Sequence, residues 1–570
     1  MHDHERVTIT VETEQAGMDG YYDLSTYSRP VSTTSQEAQR WFDRGLMWCY
    51  GYNHEESIRC FAKAAEFDPG CAMAYWGVAY ASGCNYNKPW EAFREDELQQ
   101  ALSTIREAMK NALDGADSVS AVERALINAL VHRYRPAAAG PDAFSAWNDA
   151  YATAMRGVYA SFPDDMDVCS LFAEALINRT PWKLWDLRSG RPAEGASTVE
   201  AVEVLEKAMS EVEEAGLEPH PGLLHMYVHT MEMSPHPERA LRAGDALRDL
   251  VPDAGHLRHM PSHIDVLCGR YDEAVIANNK AIEADARYLA REGPINFYTL
   301  YRCHNYHFKL YSAMFLGQYR TALEAATQMI ATISAELLRV TTPPMADWLE
   351  GFVSMKMHVY VRFGKWEEIL TESLPADQEL FCVTTAMLHY ARAIACATTG
   401  RIQAAEAERG QFAQALARVP ETRYIFNNKC TDILAVAAEM LAGELEYRKG
   451  NLERAFERLR QAVALDDNLP YDEPWGWMQP ARHALGALLL EQDRVAEAEQ
   501  IYQDDLGLNT TLSRASQHPD NVWSLHGYVE CLHRQHKHAE AVAMERRLDR
   551  ANARADVPIN ASCFCRLEVS

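Results

Sequence analysis

The sequence lacks the features that would carry a chain into or across a membrane. It has no run of about 18 apolar residues, which excludes a helical span. Its first residues, MHDHERVTITVETEQ, show no basic segment followed by an apolar core, so no secretory signal is expected there. Positive charge is scarce. Lys and Arg number 55 against 81 Asp and Glu, for a net charge of −26. A surface that negative repels phosphate backbones and anionic lipids, which excludes nucleic acid and the membrane surface as main partners. The 13 cysteines are odd in number and spread over the whole length, so they are not a disulfide framework. Cys49, Cys60, Cys268 and Cys396 sit in apolar helical patterns, as small core filler does. These absences together predict a reduced, cytoplasmic protein. Strand signals are scarce too: one β-like piece, Val7 to Val11, stands near the start. No Pro- or Gly-rich linker appears.

What is present is helix. The 570 residues, 48% of them hydrophobic, exceed the roughly 250–300 that one compact core supports, so the chain is either several domains or a repeat array. Beyond about Ser35, apolar residues recur every three or four positions, with breaks at Gly, Pro or Asp. Around Trp41–Pro69 the order Trp41, Gly45, Trp48, Tyr52, Phe61, Ala64, Pro69 follows the tetratricopeptide pattern of two antiparallel helices. Similar turns recur at Gly269-Arg270-Tyr271, Gly317-Gln318-Tyr319, Gly364-Lys365-Trp366, Gly400-Arg401-Ile402 and Gly450-Asn451-Leu452. A degenerate copy follows at Asp493-Arg494-Val495. The intervals are uneven, so the expected fold is all-α, a divergent tetratricopeptide-like α-solenoid of stacked helix hairpins. The expected division is an irregular N-terminal extension (1–35), N-terminal helical repeats with an inserted loop (36–220), His-rich hairpins (221–310), C-terminal repeats (311–555) and a tail (556–570). The segment 91–221 fits the repeat worst. It holds the Pro/Trp-rich loop RTPWKLWDLRSGRP, of a length that is often functional.

The distinctive feature is histidine. Nine of 21 fall between His220 and His307. In His225-Met-Tyr-Val-His229-Thr-Met-Glu232 the spacing i, i+4, i+7 puts two imidazoles and a carboxylate on one helical stripe, which suits a transition metal. It is not the HExxH of metalloproteases, because no Glu follows the first His. In Gly255-His256-Leu-Arg-His259-Met-Pro261-Ser-His263, Pro261 fits only a first turn or a kink. His256 and His259 are therefore expected in an approach loop and His263 in the first turn. His304-Asn305-Tyr306-His307 supplies an i, i+3 pair with an amide between. Ligating imidazoles need a partner on the other ring nitrogen, for which Glu232, Asp265 and Asn305 are candidates. His220 and His236 flank prolines and are expected on the surface. Tyr52-Asn53-His54-Glu55-Glu56 lies at the first inter-helix turn.

The blocks RWFDRGLMWCYGYNHEE, DPGCAMAYWGVAYASGCNYNKPW, HMYVHTMEMSPHPERA, AGHLRHMPSHIDVLCGRYDEAVIANNKAI, HNYHF and WGWMQPARHALGALLLEQ resemble a family of bacterial and fungal tetratricopeptide-repeat proteins. The resemblance covers nearly the whole chain, and its NHEE and GHxxHMPSHI strings are more specific than the repeat itself. It implies a helical solenoid and picks out His54, Glu55, His225, His229, Glu232, His256, His259, His263, His304 and His307 as pattern residues. It leaves the reaction open. It extends to the tail, where Cys563 and Cys565, two apart and so poorly placed to bond to each other, are either soft-metal ligands or reactive thiols.

Three functions share these residues. The first is a metal-dependent enzyme, a hydrolase or oxidoreductase, acting on a small molecule. A divalent iron, copper or zinc ion would sit on imidazoles drawn from His54, His225, His229, His256, His259, His263, His304 and His307, with Cys563 and Cys565 in reach if the tail folds back. Glu55 or Glu232 would be the general base, Asn305 would orient water or substrate, and Trp76, Tyr86, Trp182 and Trp185 would wall the pocket. The second is a scaffold gripping a peptide or protein partner with imidazoles and with Asn85, Asn87, Asn278 and Asn279. The third is metal storage or delivery. The sequence leaves the oligomeric state open.

Overall fold

The computed structural model describes residues 20–134 and 140–566. The β-like piece at Val7 to Val11 lies outside the described residues. The fold is all-α, a tetratricopeptide-like array in which each helix packs chiefly on its neighbours in sequence. Extended structure among the described residues amounts to two short antiparallel ladders, Trp185–Asp186 with Arg191–Pro192 and Tyr424–Ile425 with Asn428–Lys429. No helix among them is long and apolar enough to cross a membrane.

The first hairpin shows how sequence makes the repeat. Helices Gln36–Tyr50 and His54–Phe67 pack antiparallel, and helix Ala72–Ala81 packs on both. The Phe61 ring is seated against Gly45 and Gly77, where an added Cβ would stand 2.7 and 2.5 Å from it. Only glycine lets the ring fill that gap at close-packed density.

The turns share one geometry. Gly269, Gly317, Gly364, Gly400 and Gly450 all have φ between +63° and +81°. The amide one residue further on donates back across the helix end, as in Gln318 to Ala313 O, Lys365 to Tyr360 O and Arg401 to Cys396 O. This is the Schellman arrangement, which satisfies an otherwise orphaned carbonyl and needs a left-handed residue. The degenerate copy works the same way, with Asp493 at φ 55° and Arg494 donating to Leu489 O. A further copy lies at His536, φ 58°, with Lys537 donating to Leu532 O. Tyr52 occupies the equivalent place in the first turn, at φ 54°, with Asn53 donating to Trp48 O.

Two apolar cores form. One gathers residues from Tyr21 to Ile264 with Tyr288, Tyr298 and Tyr301. The other holds most of the chain from Val266 onward. Trp182, Trp185 and Phe297 pack against both. At the seam lie two helices with no solvent face: all 11 residues of Pro221–Met231 and all 18 of Tyr298–Phe315 are buried. A helix buried all round is normally apolar all round. These two carry His225, His229, His304, Asn305 and His307 instead.

Candidate metal centre

The imidazoles converge at the seam from four helices. His225 and His229 come from Pro221–Met231, His256 and His259 from Gly255–His259, His263 from Pro261–Leu267 and His304 from Tyr298–Phe315. His256 and His259 are thus helical, not in an approach loop. The correction has a simple cause. Met260 keeps helical angles (φ −51°, ψ −37°), so Pro261 breaks one helix into two short ones rather than starting a helix after a loop. The i, i+4 relation of His259 and His263 survives the break.

The donor atoms gather in threes. One nitrogen each of His225, His229 and His256 lie within 4.8 Å of one another, as do those of His259, His263 and His304, and as do donors of His229, Glu232 and His263. All seven residues are buried. Nε2 of His259 stands 2.7 Å from Nε2 of His263, and Nε2 of His225 stands 3.1 Å from Nε2 of His256.

The outer nitrogens are held. The Asn278 amide donates to Ala274 O, which fixes its carbonyl toward His259, whose Nδ1–H donates to it at 2.8 Å. His225 Nδ1–H donates to Tyr50 O at 2.6 Å. Glu232 accepts from His229 Nδ1 at 3.1 Å and from His263 Nδ1 at 2.7 Å. Glu473 brings a second carboxylate oxygen within 2.6 Å of His263 Nδ1. With its Nδ1 proton given to Asn278, His259 turns its Nε2 lone pair on Nε2 of His263. Carbonyl and carboxylate partners of this kind set tautomer and ring orientation around metal-bound histidine. Three further nitrogens, His229 Nε2, His256 Nδ1 and His304 Nδ1, are buried without a hydrogen-bond partner. Each such orphan costs about 1–3 kcal/mol.

Burial drives the His225, His229, His256, His259 and His304 pKa values far below the ordinary imidazole range, so these rings are neutral, the form that ligates. Burial, then the charge of Glu473, pushes Glu232 up to about 8. Glu473 is raised as well, by burial. The ion-pair partners of these two carboxylates are the imidazoles His229 and His263, with no arginine or lysine among them in the described residues. A bound divalent cation would supply the charge that such buried carboxylates need.

Aromatic rings close the site. Tyr52 lies 4.7 Å from the His225 ring, 5.8 Å from His229 and 5.5 Å from His256. Tyr86 lies 4.8 Å and Trp182 6.2 Å from His229. Phe308 stacks on His263, and Phe426 packs edge-on to His304. Trp185 donates to Thr230 O beside this wall, whereas Trp76 stacks on Tyr80. Tyr52 also lines a cavity of about 390 Å³, together with Asn53, His54, Glu55, Asn85, Lys88, Phe297 and Tyr298 among others.

Several residues expected at the site stand elsewhere. His54 faces Asn85 and lines the cavity rather than joining the imidazoles. Glu55 is exposed at the same cavity and accepts the Phe297 amide at 3.0 Å. Asn305 donates to buried Asp285 at 2.6 Å. His307 turns its Nε2 to Met478 Sδ, 2.8 Å away. Asp265 pairs with Arg248, not with a ring. His220 is buried, not on the surface: as N-cap of Pro221–Met231 it accepts from the Leu223 amide and pairs with Asp167, whereas His236 is exposed as expected. Cys563 and Cys565 are bonded to each other, which removes them as a thiolate pair. Their tail docks through Ser562 on Tyr502 and Arg566 on Glu530.

Glu473 was missed by sequence reasoning, although it stands two residues before the quoted block WGWMQPARHALGALLLEQ, in the buried run Tyr471–Met478. The only signal was two acids between tyrosine and proline in YDEPWGW, which also reads as an ordinary turn. Asn278 was noticed, but for a different role.

No family profile and no curated protein sequence matches the chain. Similar solved structures include yeast Tom70 (12% identity, 90% of this chain and 92% of that one, TM-score 0.28). A human IFIT1 dimer with m7Gppp-AAAA is also similar (11% identity, 90% and 97% coverage, TM-score 0.33). So is Cut9–Hcn1 of the APC/C (13% identity, 84% and 74% coverage, TM-score 0.29). At such scores these likenesses carry no argument, and the repeat architecture rests on the helices and turns themselves.

Proposed function

We propose that the chain is a metalloprotein that holds a divalent transition metal, iron, copper or zinc, in its imidazole cluster, and that it is an enzyme acting on a small molecule. The observation that carries the metal is the convergence of buried imidazole donors, with Nε2 of His259 and of His263 2.7 Å apart and their opposite nitrogens held at Asn278 and at Glu232. The His259 lone pair takes either a proton from His263 or a metal ion, and a metal would engage both nitrogens. The small molecule is supported by the cavity of about 390 Å³, lined by Tyr52, which also packs on the rings of His225, His229 and His256. A metal here would polarise a substrate oxygen or lower the pKa of water toward about 7. The protein's own part is to keep the rings neutral, to fix their tautomers and to exclude bulk water. His54, Glu55, Asn85 and Lys88 would contact what enters the cavity.

Rings buried to this depth are closed to a peptide, so partner binding would use other surface. Loose storage fits poorly with nitrogens individually fixed by Tyr50, Asn278 and Glu232.

The test is elemental analysis of the full chain, purified without a histidine tag from metal-replete medium. The expected result is bound first-row metal in the wild type and its loss in His259→Ala and His304→Ala with helical circular dichroism retained. A metal-free wild type, or full occupancy in both variants, overturns the proposal. Activity screening then uses the metal found.

A further inference from the structure

We infer that the cluster is two metal sites rather than one. The inference rests on the metal-binding reading above and adds number and arrangement to it. His225, His229 and His256 form one set, and His259, His263 and His304 another, with no residue in common. The rings within a set are close: 4.7 Å for His225 and His229, 4.9 Å for His225 and His256, 4.7 Å for His259 and His263, and 4.5 Å for His259 and His304. The remaining pair of each set, His229 to His256 at 6.1 Å and His263 to His304 at 5.9 Å, is as wide as the pairs across sets, His229 to His263 at 5.9 Å and His256 to His259 at 6.0 Å, so the division rests on the donor atoms rather than on the ring centres.

Each set has its own orienting groups. Tyr50 O holds His225, and Asn278 holds His259. Each also has a buried nitrogen with no partner, His229 Nε2 and His256 Nδ1 in the first and His304 Nδ1 in the second. Three imidazoles with a fourth position open is the donor set of a mononuclear zinc or copper centre. Six exceed what one such ion takes.

One residue links them. Glu232 reaches His229 with Oε1 and His263 with Oε2, so a single carboxylate ties one imidazole of each set. Its neighbour Glu473 brings a second buried carboxylate to His263. One dication would already neutralise this pair of acids, so the case for two ions rests on the six imidazoles grouped in two separate sets of three. The sites also differ in access. Tyr52 and the cavity adjoin the first set. Phe308 and Phe426 enclose the second. All six rings are buried, and the first set, which shares Tyr52 with the cavity, is therefore assigned the ion that exchanges faster.

The test is stoichiometry with zinc(II) as probe. The full chain, untagged and stripped with a chelator, is dialysed against buffered zinc(II) and its metal per chain measured. The account expects two equivalents, of which one leaves rapidly into chelator and one slowly. The double variant His225→Gln/His256→Gln should keep only the slow equivalent, and His259→Gln/His304→Gln only the fast one. One equivalent in the wild type, lost in Glu232→Ala, would place a single ion at His229, Glu232 and His263 and overturn this inference while leaving the metal reading intact. No bound zinc would remove both. Should either double variant fail to fold, the wild-type stoichiometry and its two release phases still decide the matter.

Discussion

At the scale of single residues, the centre depends on groups that never touch a ligand themselves. Asn278 is the clearest. Its amide is pinned by Ala274 O, and its carbonyl dictates that His259 carries its proton on Nδ1. Asn278→Ala is expected to weaken metal binding by about 10- to 100-fold, the usual effect of losing such a partner. Asn278→Asp, which can still accept from Nδ1–H, should recover most of it. Competition against a chelator measures both, and equal affinity in all three proteins would remove Asn278 from the account. Local spacing made part of this legible in the sequence. His225, His229 and Glu232 lie on one stripe because their spacing returns to nearly the same helical azimuth. The same logic misassigned His307. Three residues advance about 300°, leaving a difference of about 60° between His304 and His307. In a helix buried all round, that difference sends one ring to His259 and the other to Met478. Glu473 could not be found, because its approach to His263 is set by packing across more than 200 positions of sequence.

At the scale of elements, the repeated turn explains why glycine recurs and why Tyr52 is unusual. Gly450 has φ +81° with nothing within 4 Å of an added Cβ, whereas at Gly269 a Cβ would lie 2.7 Å from Pro519 O. Gly450→Ala therefore incurs only the left-handed backbone strain, about 1–2 kcal/mol. Gly269→Ala adds a backbone clash and should lower the thermal midpoint clearly more. Equal shifts in a thermal melt would mean that the contact between the Gly269 turn and Pro519 is absent in solution. Tyr52 accepts the same strain in a place where glycine serves elsewhere, and its ring lies among three imidazoles. Strained backbone at a site is a pointer to function. The turns at Gly269, Gly317, Gly364, Gly400 and Gly450 were readable because a left-handed cap selects glycine. The copy at His536 lacks one and was missed, although the equally glycine-free copy at Asp493 was read.

At the scale of the whole molecule, two cores meet across a polar seam, and burial there governs response to acid. Burial lowers His358 to about 3 and His483 to about 4, against an ordinary 6.5. The unfolded chain binds protons below pH 6.5 that these folded side chains refuse. Their contribution to stability is thus intact above pH 6.5 and declines as pH falls toward 4. Asp505, held well below the carboxylate range despite its burial, where His483 and His518 hydrogen-bond to it, acts later: its stabilisation is present above about pH 4 and lost only below. Raised carboxylates such as Glu232 pull the other way, so the effect is read by difference: the thermal midpoint of metal-stripped protein relative to that of its His358→Gln variant should drop steadily between pH 6.5 and 4.5. A flat difference over that range would contradict the burial of His358.

The most direct test of the central claim is anomalous diffraction, recorded at the absorption edge of whichever metal the untagged protein carries. The account predicts density peaks among the rings of His259, His263 and His304, and among those of His225, His229 and His256. Peaks confined to exposed histidines, or none within bonding distance of any of these six rings, would contradict it.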